Sequence, residues 1–404
     1  MLAVLRNVVY RRLFIAHCVA LIGTGILTVA LGLLAYDIAG GDAALVLGVA
    51  MMIKMIAYVF LTPFLSALSA RFPGRTVLVF SDGLRAAAAL VLPFVTDAWQ
   101  IYILIFVLQC ASALFTPAFQ ALIPDVVKDD VQYTHALTLS RISYDTESLA
   151  SPLIAAALLA VIDFNLLFIG TALGFLSSAA IILRTRLPAG GRQLDLSFGS
   201  RLIGGLRAFL SRRELRGLLG LNLTLSASTS VVVVTTVIVV KDDLDGDSTG
   251  VALLLACFGT GSLIAALRVP HLVRRWPDYA VMFTGAMPLP IVLLALGMGL
   301  TWLPVDVLKW CTPIIWFLFG LFTSPVLTLA GRLLQRFSTE GSRGALFSAY
   351  FSLSHGFLLV MYPLAGLLSA QFGVGAAAIA LSSVSVAGLV VCGATWRSDL
   401  LLGR

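Results

Sequence analysis

Apolar residues run along this chain in long unbroken stretches, with polar residues gathered in the short breaks between them. Twelve stretches can be marked, at 13–38, 43–66, 76–96, 99–122, 134–161, 163–183, 217–240, 249–268, 280–301, 306–332, 345–369 and 373–395. Each can cross ~30 Å of hydrocarbon as a helix, which takes about 20 residues. They are continuous rather than alternating at every second position, so they predict helices and not the strands of a membrane barrel. The expected fold class is an all-α polytopic membrane protein.

The breaks differ in charge on the two sides. Arg6, Arg11 and Arg12, Arg71 and Arg75, Lys128, Arg184 through Arg216, Arg268, Arg274 and Arg275, Arg336 and Arg343, and Arg397 and Arg404 share one side. Asp37, Asp42, Asp97, Asp163 and the DDLDGD run at 242–247 share the other, with Lys241 and Lys309 the basic residues near it. Basic residues stay in the cytoplasm, so both termini are expected there, in a bacterial inner membrane. The start, MLAVLRNVVYRR, leads into the first span without a small-residue cleavage site, so no cleavable leader is expected.

Three fragments recur in order. RFPGRTVLVF from Arg71 answers RWPDYAVMF from Arg275, Leu114-Phe115-Thr116 answers Leu321-Phe322-Thr323, and Pro152 answers Pro363, at offsets of 204, 207 and 211 residues. Together they argue for a duplicated six-helix unit. The expected domains are a first bundle over 1–183, a cytoplasmic linker over 184–216 and a second bundle over 217–404. Within the linker Phe198, Leu202, Leu206, Phe209 and Leu210 recur at helical spacing among arginines, which predicts an amphipathic helix on the inner membrane face. Two such halves point to alternating access around a central cavity.

Span five breaks the apolar pattern. Its RISYDTESLASP, from Arg141 to Pro152, puts an arginine, a tyrosine and two carboxylates where hydrocarbon is expected. A charge there costs at least ~2.5–3.5 kcal/mol on insertion scales, so such residues are functional or paired. Arg141, Tyr144, Asp145, Ser148 and Pro152 share one helix face, and Glu147 lies about 160° round from Asp145. One carboxylate can line a pathway while the other meets a neighbouring helix. Lys54, Asp82 and Arg85 complete six ionisable residues inside the spans of the first half, three of each sign; the second half adds His355.

Composition removes other classes. Hydrophobic residues make up 59% of the 404 and charged ones 12%, half the ~25% of a soluble domain. The net charge of +7 is explained by topology, so no nucleic-acid partner is expected. The five cysteines, at 18, 110, 257, 311 and 392, and the four histidines are scattered, so neither a metal site nor a cofactor is expected. No G-x-S-x-G, H-E-x-x-H, P-loop or paired-cysteine motif occurs, which argues against an enzyme.

Several segments carry a resemblance. Ser66 to Arg75, SALSARFPGR, lies where the major facilitator superfamily has G-x-L-a-D-R-x-G-R-R; Leu68, Arg71 and Arg75 match, Ser66 replaces a glycine and Ala70 the acid. Gln109-Cys110-Ala111 sits at the place of the drug-antiporter R-x-x-Q-G-x-a, with Phe106 at the arginine position. Asp82 with Arg85, LIPDVV at 122–127 and SRISYDTESLASP resemble the enterobactin-exporter-like and multidrug efflux branch. The resemblance implies twelve helices in two bundles, a peripheral third helix, a fifth helix bordering the cavity and proton coupling carried by one half.

On that basis the coupling and gating residues are expected to be Lys54, Arg141, Asp145 and Glu147, with Lys54 paired to Asp145 or Glu147. Asp82 and Arg85, in the cytoplasmic third of span three, would brace a cytoplasmic gate with Arg71 and Arg75. Gln109, Phe115, Tyr144, Asn222, Ser226, Trp316, Ser352 and His355 are expected to line the substrate cavity, though His355 also suits a core position and His17 carries no assigned role. The expected activity is proton-coupled export of a small amphipathic organic compound, a drug or siderophore-like molecule, by a monomer in lipid. A divalent-metal exporter and an uptake symporter of the same fold are the alternatives.

Overall fold

The computed structural model describes residues 2–61, 65, 72–187, 206–207, 209–337 and 343–402. Among them there are helices and no strands. The first are α1 (Val8–Ala39), α2 (Ala43–Ile56), α3 (Gly74–Val91), α4 (Ala98–Val126), α5 (Asp130–Leu159) and α6 (Asn165–Leu183). After the middle segment come α7 (Arg213–Ile238), α8 (Ser248–Leu272), α9 (Asp278–Ala286), α10 (Leu289–Trp302), α11 (Val305–Arg336) and α12 (Arg343–Leu402).

Nine stretches among the described residues are long and apolar enough to cross a membrane. Two of them, Val8–Leu61 and Ala349–Trp396, hold 54 and 48 residues, more than twice what one crossing takes. Each is broken by a glycine that a side chain would strain, Gly40 at φ 52° and Gly373 at φ 83°. Helices α9 and α10 form one such stretch, Asp278–Trp302. Polar α5 is helical for 30 residues, but only its Ala150–Leu159 end counts as apolar. The stretches marked from the sequence fall on helix over most of their described length, the exceptions being 95–96, 160–161, 163–164 and 287–288. The predicted amphipathic helix lies mostly outside the described residues.

The chain divides into two compact units. One holds Met1–Ile38 with Ile56–Asp195, the other Ala39–Met55 with Leu196–Arg404. In the first, Asn7 caps α1 by accepting from the Val9 and Tyr10 N–H groups at 3.0 and 3.1 Å. Its amide donates to Val126 O at 3.1 Å, fixing the start of α1 to the end of α4. Leu13, Phe115, Phe119, Leu122 and Ile182 form an apolar core beside this corner. Further along, Gly23 of α1 faces Gly174 of α6, and Thr171 donates its hydroxyl to Gly23 O at 3.2 Å. Lacking Cβ atoms, the two backbones approach closely enough for that bond.

The second unit closes its first and last helices in the same manner. Gly220 of α7 meets the backbone of Gly388 in α12, and Thr224 donates to Ser385 O at 2.9 Å. Helices α8 and α11 cross where Gly261 lies on Phe317 O and Gly320 on Phe258 O, with no space for a Cβ on either side. The Ala39–Met55 segment, α2 except its last residue, belongs to this unit. Gly48 packs under Tyr362 O, where an added Cβ would come within 2.6 Å, and Gly366 packs on Ala44 O.

Candidate functional site

The charged residues of the first unit centre on α3. Asp82 is wholly buried and Arg85 is 5% exposed, and the two pair one helical turn apart. The Arg85 guanidinium lies between two rings, 4.4 Å from the centroid of Phe115 and 4.5 Å from that of Phe175. A buried cation loses its hydration, and here a carboxylate and two π faces stand in for water. Arg85 is eleven residues past Gly74 and nine before Phe94 in that span. Arg85 therefore sits near mid-span, and Asp82, eight residues past Gly74, lies about 12 Å from that end, at the edge of the third where the pair was expected. The third helix is peripheral on one side only, with Phe80 and Phe94 exposed opposite the buried pair.

Around the pair lies a layer of other polar groups. His17 of α1 stacks on Phe119 at 4.2 Å and on Phe115 at 6.2 Å. Arg85 acts electrostatically on His17 and on Tyr58, which sits in the π-helical turn Ala57–Leu61. Tyr58 also lies in the field of Glu147. Ser178 lies beside Asp82, though among the described residues neither its Oγ nor Asp82 Oδ2 meets hydrogen-bond geometry. Gln109 of α4 is buried, and its Oε1 has no hydrogen bond among the described residues.

Glu147 meets a neighbouring helix. Its Oε1 rests against Gly25 of α1, in space that a side chain at residue 25 would fill, and Ser151, one turn on, shares that contact. Ser151 donates to Ile22 O at 3.4 Å. Gly25 is seventeen residues into α1 and fourteen from its end; Glu147 is seventeen into α5 and twelve from its end. A carboxylate is thus held about 18 Å or more from either end of α5, on a glycine notch.

In the second unit His355 Nδ1 lies 2.8 Å from Phe351 O and 3.3 Å from Ser354 Oγ, with its ring on that of Phe351 at 3.9 Å. The charge of Lys54 reaches it. No residue from Phe351 to Val360 is fully buried, Ser352 included, so α12 is accessible all round over these turns. Asn222 donates to Leu218 O at 2.8 Å and accepts from the Tyr350 hydroxyl at 3.3 Å. Ser226 is buried on the same helix.

The structure corrects several sequence assignments. Trp316 has no exposed surface; its indole donates to Thr236 Oγ1 at 2.9 Å and its ring meets Phe319 edge-on, so it belongs to the core and lines no cavity. Phe115 is equally enclosed, as one wall of the Arg85 site. Lys54 groups with the C-terminal unit rather than with the front six spans. Arg75 is exposed and donates to Leu183 O, tying α3 to the end of α6. Arg71 and the side chains of Arg141, Tyr144 and Asp145 lie outside the described residues.

Tyr58, Phe175, Gly25 and Ser151 escaped the sequence reading, because nothing in their spacing marks a partner on a distant helix. So did Asp278 at the start of α9, buried and paired with Arg332 at 3.0 Å. Among the described residues no three His, Cys, Asp or Glu side chains gather as metal ligands would. A cavity of about 270 Å³ lies where the end of α3 meets the start of α4, lined by Val91, Phe94, Trp99, Gln100 and Ile103, none of them charged.

Residues 13–305 match the Major Facilitator Superfamily. The chain is similar to macrolide efflux protein A of Streptococcus pyogenes, at 25% identity over 185 residues that cover 44% of this chain and 45% of that protein. It thus spans about half the length of the curated relatives it matches. In fold it is similar to a bacterial homolog of the human lysosomal transporter Spinster in an inward-facing, occupied conformation, with a TM-score of 0.75, 12% identity, and 99% and 98% of the two chains covered. The nucleoside transporter NupG gives a TM-score of 0.72 at 12% identity over 96% and 99%.

Proposed function

Because the chain belongs to the Major Facilitator Superfamily, we propose that this transporter exports a small amphipathic organic compound in exchange for protons, working by alternating access from a bacterial inner membrane with both termini in the cytoplasm. The observation that carries the proton-coupled reading is Glu147, a carboxylate seated mid-helix on the Gly25 notch and coupled electrostatically to Tyr58. Adding a proton there removes a charge from a low-dielectric contact between α1 and α5. That changes the free energy of one packing arrangement relative to another, which is what coupling requires. Arg141 and Asp145 on the same helix, and Lys54 with His355 in the other unit, are proposed to share the coupling and gating. Asp82, Arg85 and Arg75 are proposed to hold the front bundle together while it moves.

The efflux relatives support the outward direction and an organic substrate, in agreement with the polar and aromatic residues along α7 and α12. The test uses proteoliposomes and a labelled macrolide. A pH gradient that drives protons against substrate flow is expected to accelerate net transport at least ~fivefold in the wild type. Glu147→Gln is expected to keep substrate exchange across the membrane but to lose that acceleration. A Glu147→Gln protein that still concentrates the macrolide under the gradient would remove Glu147 from the coupling step.

A further inference from the structure

The outward face of α8 changes character at its cytoplasmic end. Leu253, Ile264 and Leu267 are exposed and recur on one stripe, as lipid-facing residues do. The same stripe continues into Arg268, His271 and Leu272, all exposed, and the following turn exposes Arg274, Arg275 and Trp276. Apolar side chains thus give way, over residues 268–276, to three arginines and an indole.

Among the described residues these cations find no partner in the protein itself. A helix end commonly uses arginine to satisfy its last carbonyls. Here the backbone does so. Val269 O accepts from the Val273 N–H at 3.0 Å, and Leu272 O accepts from the Arg275 and Trp276 N–H groups at 3.0 and 2.9 Å. Asp278, the acid closest in sequence, is already paired with Arg332. Among the described residues no ion pair or side-chain hydrogen bond engages Arg268, Arg274 or Arg275.

We propose that this corner binds the headgroup of an anionic phospholipid. The phosphate is held by Arg268, Arg274 and Arg275, the acyl chains lie along the Leu253–Ile264–Leu267 stripe, and the Trp276 ring sits at the level of the glycerol. Arginine suits a phosphate because its planar fork offers paired donors. Tryptophan prefers the depth at which apolar and wet regions meet. The site needs both the chains and the charge, which sets it apart from a site for free phosphate.

Native mass spectrometry of the full-length transporter, delipidated and then given phosphatidylglycerol or phosphatidylcholine, tests this. The wild type is expected to retain phosphatidylglycerol at least ~tenfold better than phosphatidylcholine, with the preference shrinking as salt rises. The combined Arg268→Gln, Arg274→Gln and Arg275→Gln variant should lose most of that preference. A variant with Arg6, Arg11 and Arg12 all changed to Gln, which removes the same charge elsewhere on the cytoplasmic side, should keep it. Trp276→Ala, which leaves the charge intact, should weaken retention severalfold. Equal losses in the two arginine variants would overturn the proposal in favour of a diffuse positive surface. Complete competition by millimolar inorganic phosphate, or no preference in the wild type, would overturn it as well.

Discussion

Arg85→Met removes the cationic half of a pair whose other half, Asp82, has no exposed surface. Methionine is close to arginine in length and apolar, so it leaves little void between the Phe115 and Phe175 rings. The main effect is electrostatic. Stripping the partner from a buried carboxylate costs about 3–5 kcal/mol, and the two ring contacts add roughly 0.5–2 kcal/mol each when desolvated. Arg85 is 5% exposed, so solvent offers little relief. The cost is expected at the upper end of that range, read as a loss of unfolding free energy in mixed micelles of detergent and dodecyl sulfate. The decisive measurement is the double variant Asp82→Leu with Arg85→Met. Both charges are then gone, no ion is stranded, and most of the loss should be recovered. If the double variant were destabilised by the sum of the two single changes, the pair would not be the compensated unit described here. If Arg85→Met alone cost under ~1 kcal/mol, the stranded carboxylate would have been relieved by water or by taking up a proton, and the ion pair would not carry the stability assigned to it here.

Two further outcomes follow from packing. Thr236→Val removes the acceptor of the fully buried Trp316 indole while keeping shape, and an unmatched indole N–H is expected to cost about 1–3 kcal/mol in the same unfolding assay. Gly320→Ala forces a methyl onto Phe258 O at the α8–α11 crossing; since backbone cannot yield as a side chain can, a loss of at least ~1–3 kcal/mol is expected. Gly83→Ala, which meets nothing within 4 Å, is the matched control for that measurement.

Much of the architecture was legible because hydrocarbon imposes a simple rule. Twenty apolar residues without a break form a helix there, because no other backbone satisfies its own hydrogen bonds. The division into two units was visible only in outline. The repeat of RFPGRTVLVF by RWPDYAVMF argued for two halves, but nothing in the sequence assigned Ala39–Met55 to the second unit. Two of its close contacts are at Gly48 and Gly366, two glycines among 35, each meeting a helix more than 300 residues away. The candidate site was legible as a list of charges and not as an arrangement. Glu147 was separated from Asp145 by helical phase, and the structure places it on a neighbouring helix as that phase allows. The aromatic sandwich around Arg85 was invisible, because 24 phenylalanines offer no means of telling Phe115 and Phe175 from the rest. Trp316 misled for a related reason: an aromatic on a polar-flanked helix suits a core and a cavity equally, and only its bond to Thr236 decides.

The excursion of Ala39–Met55 has a bearing on how such a gene could be cut and rejoined. The middle loop looks like the natural seam for exchanging halves with another transporter. A fusion made there would carry α2 in with the wrong half, setting a foreign side chain opposite Gly366 where only hydrogen fits. Recombination that respects this molecule would need three joints, one in the middle loop and two flanking residues 39 and 55.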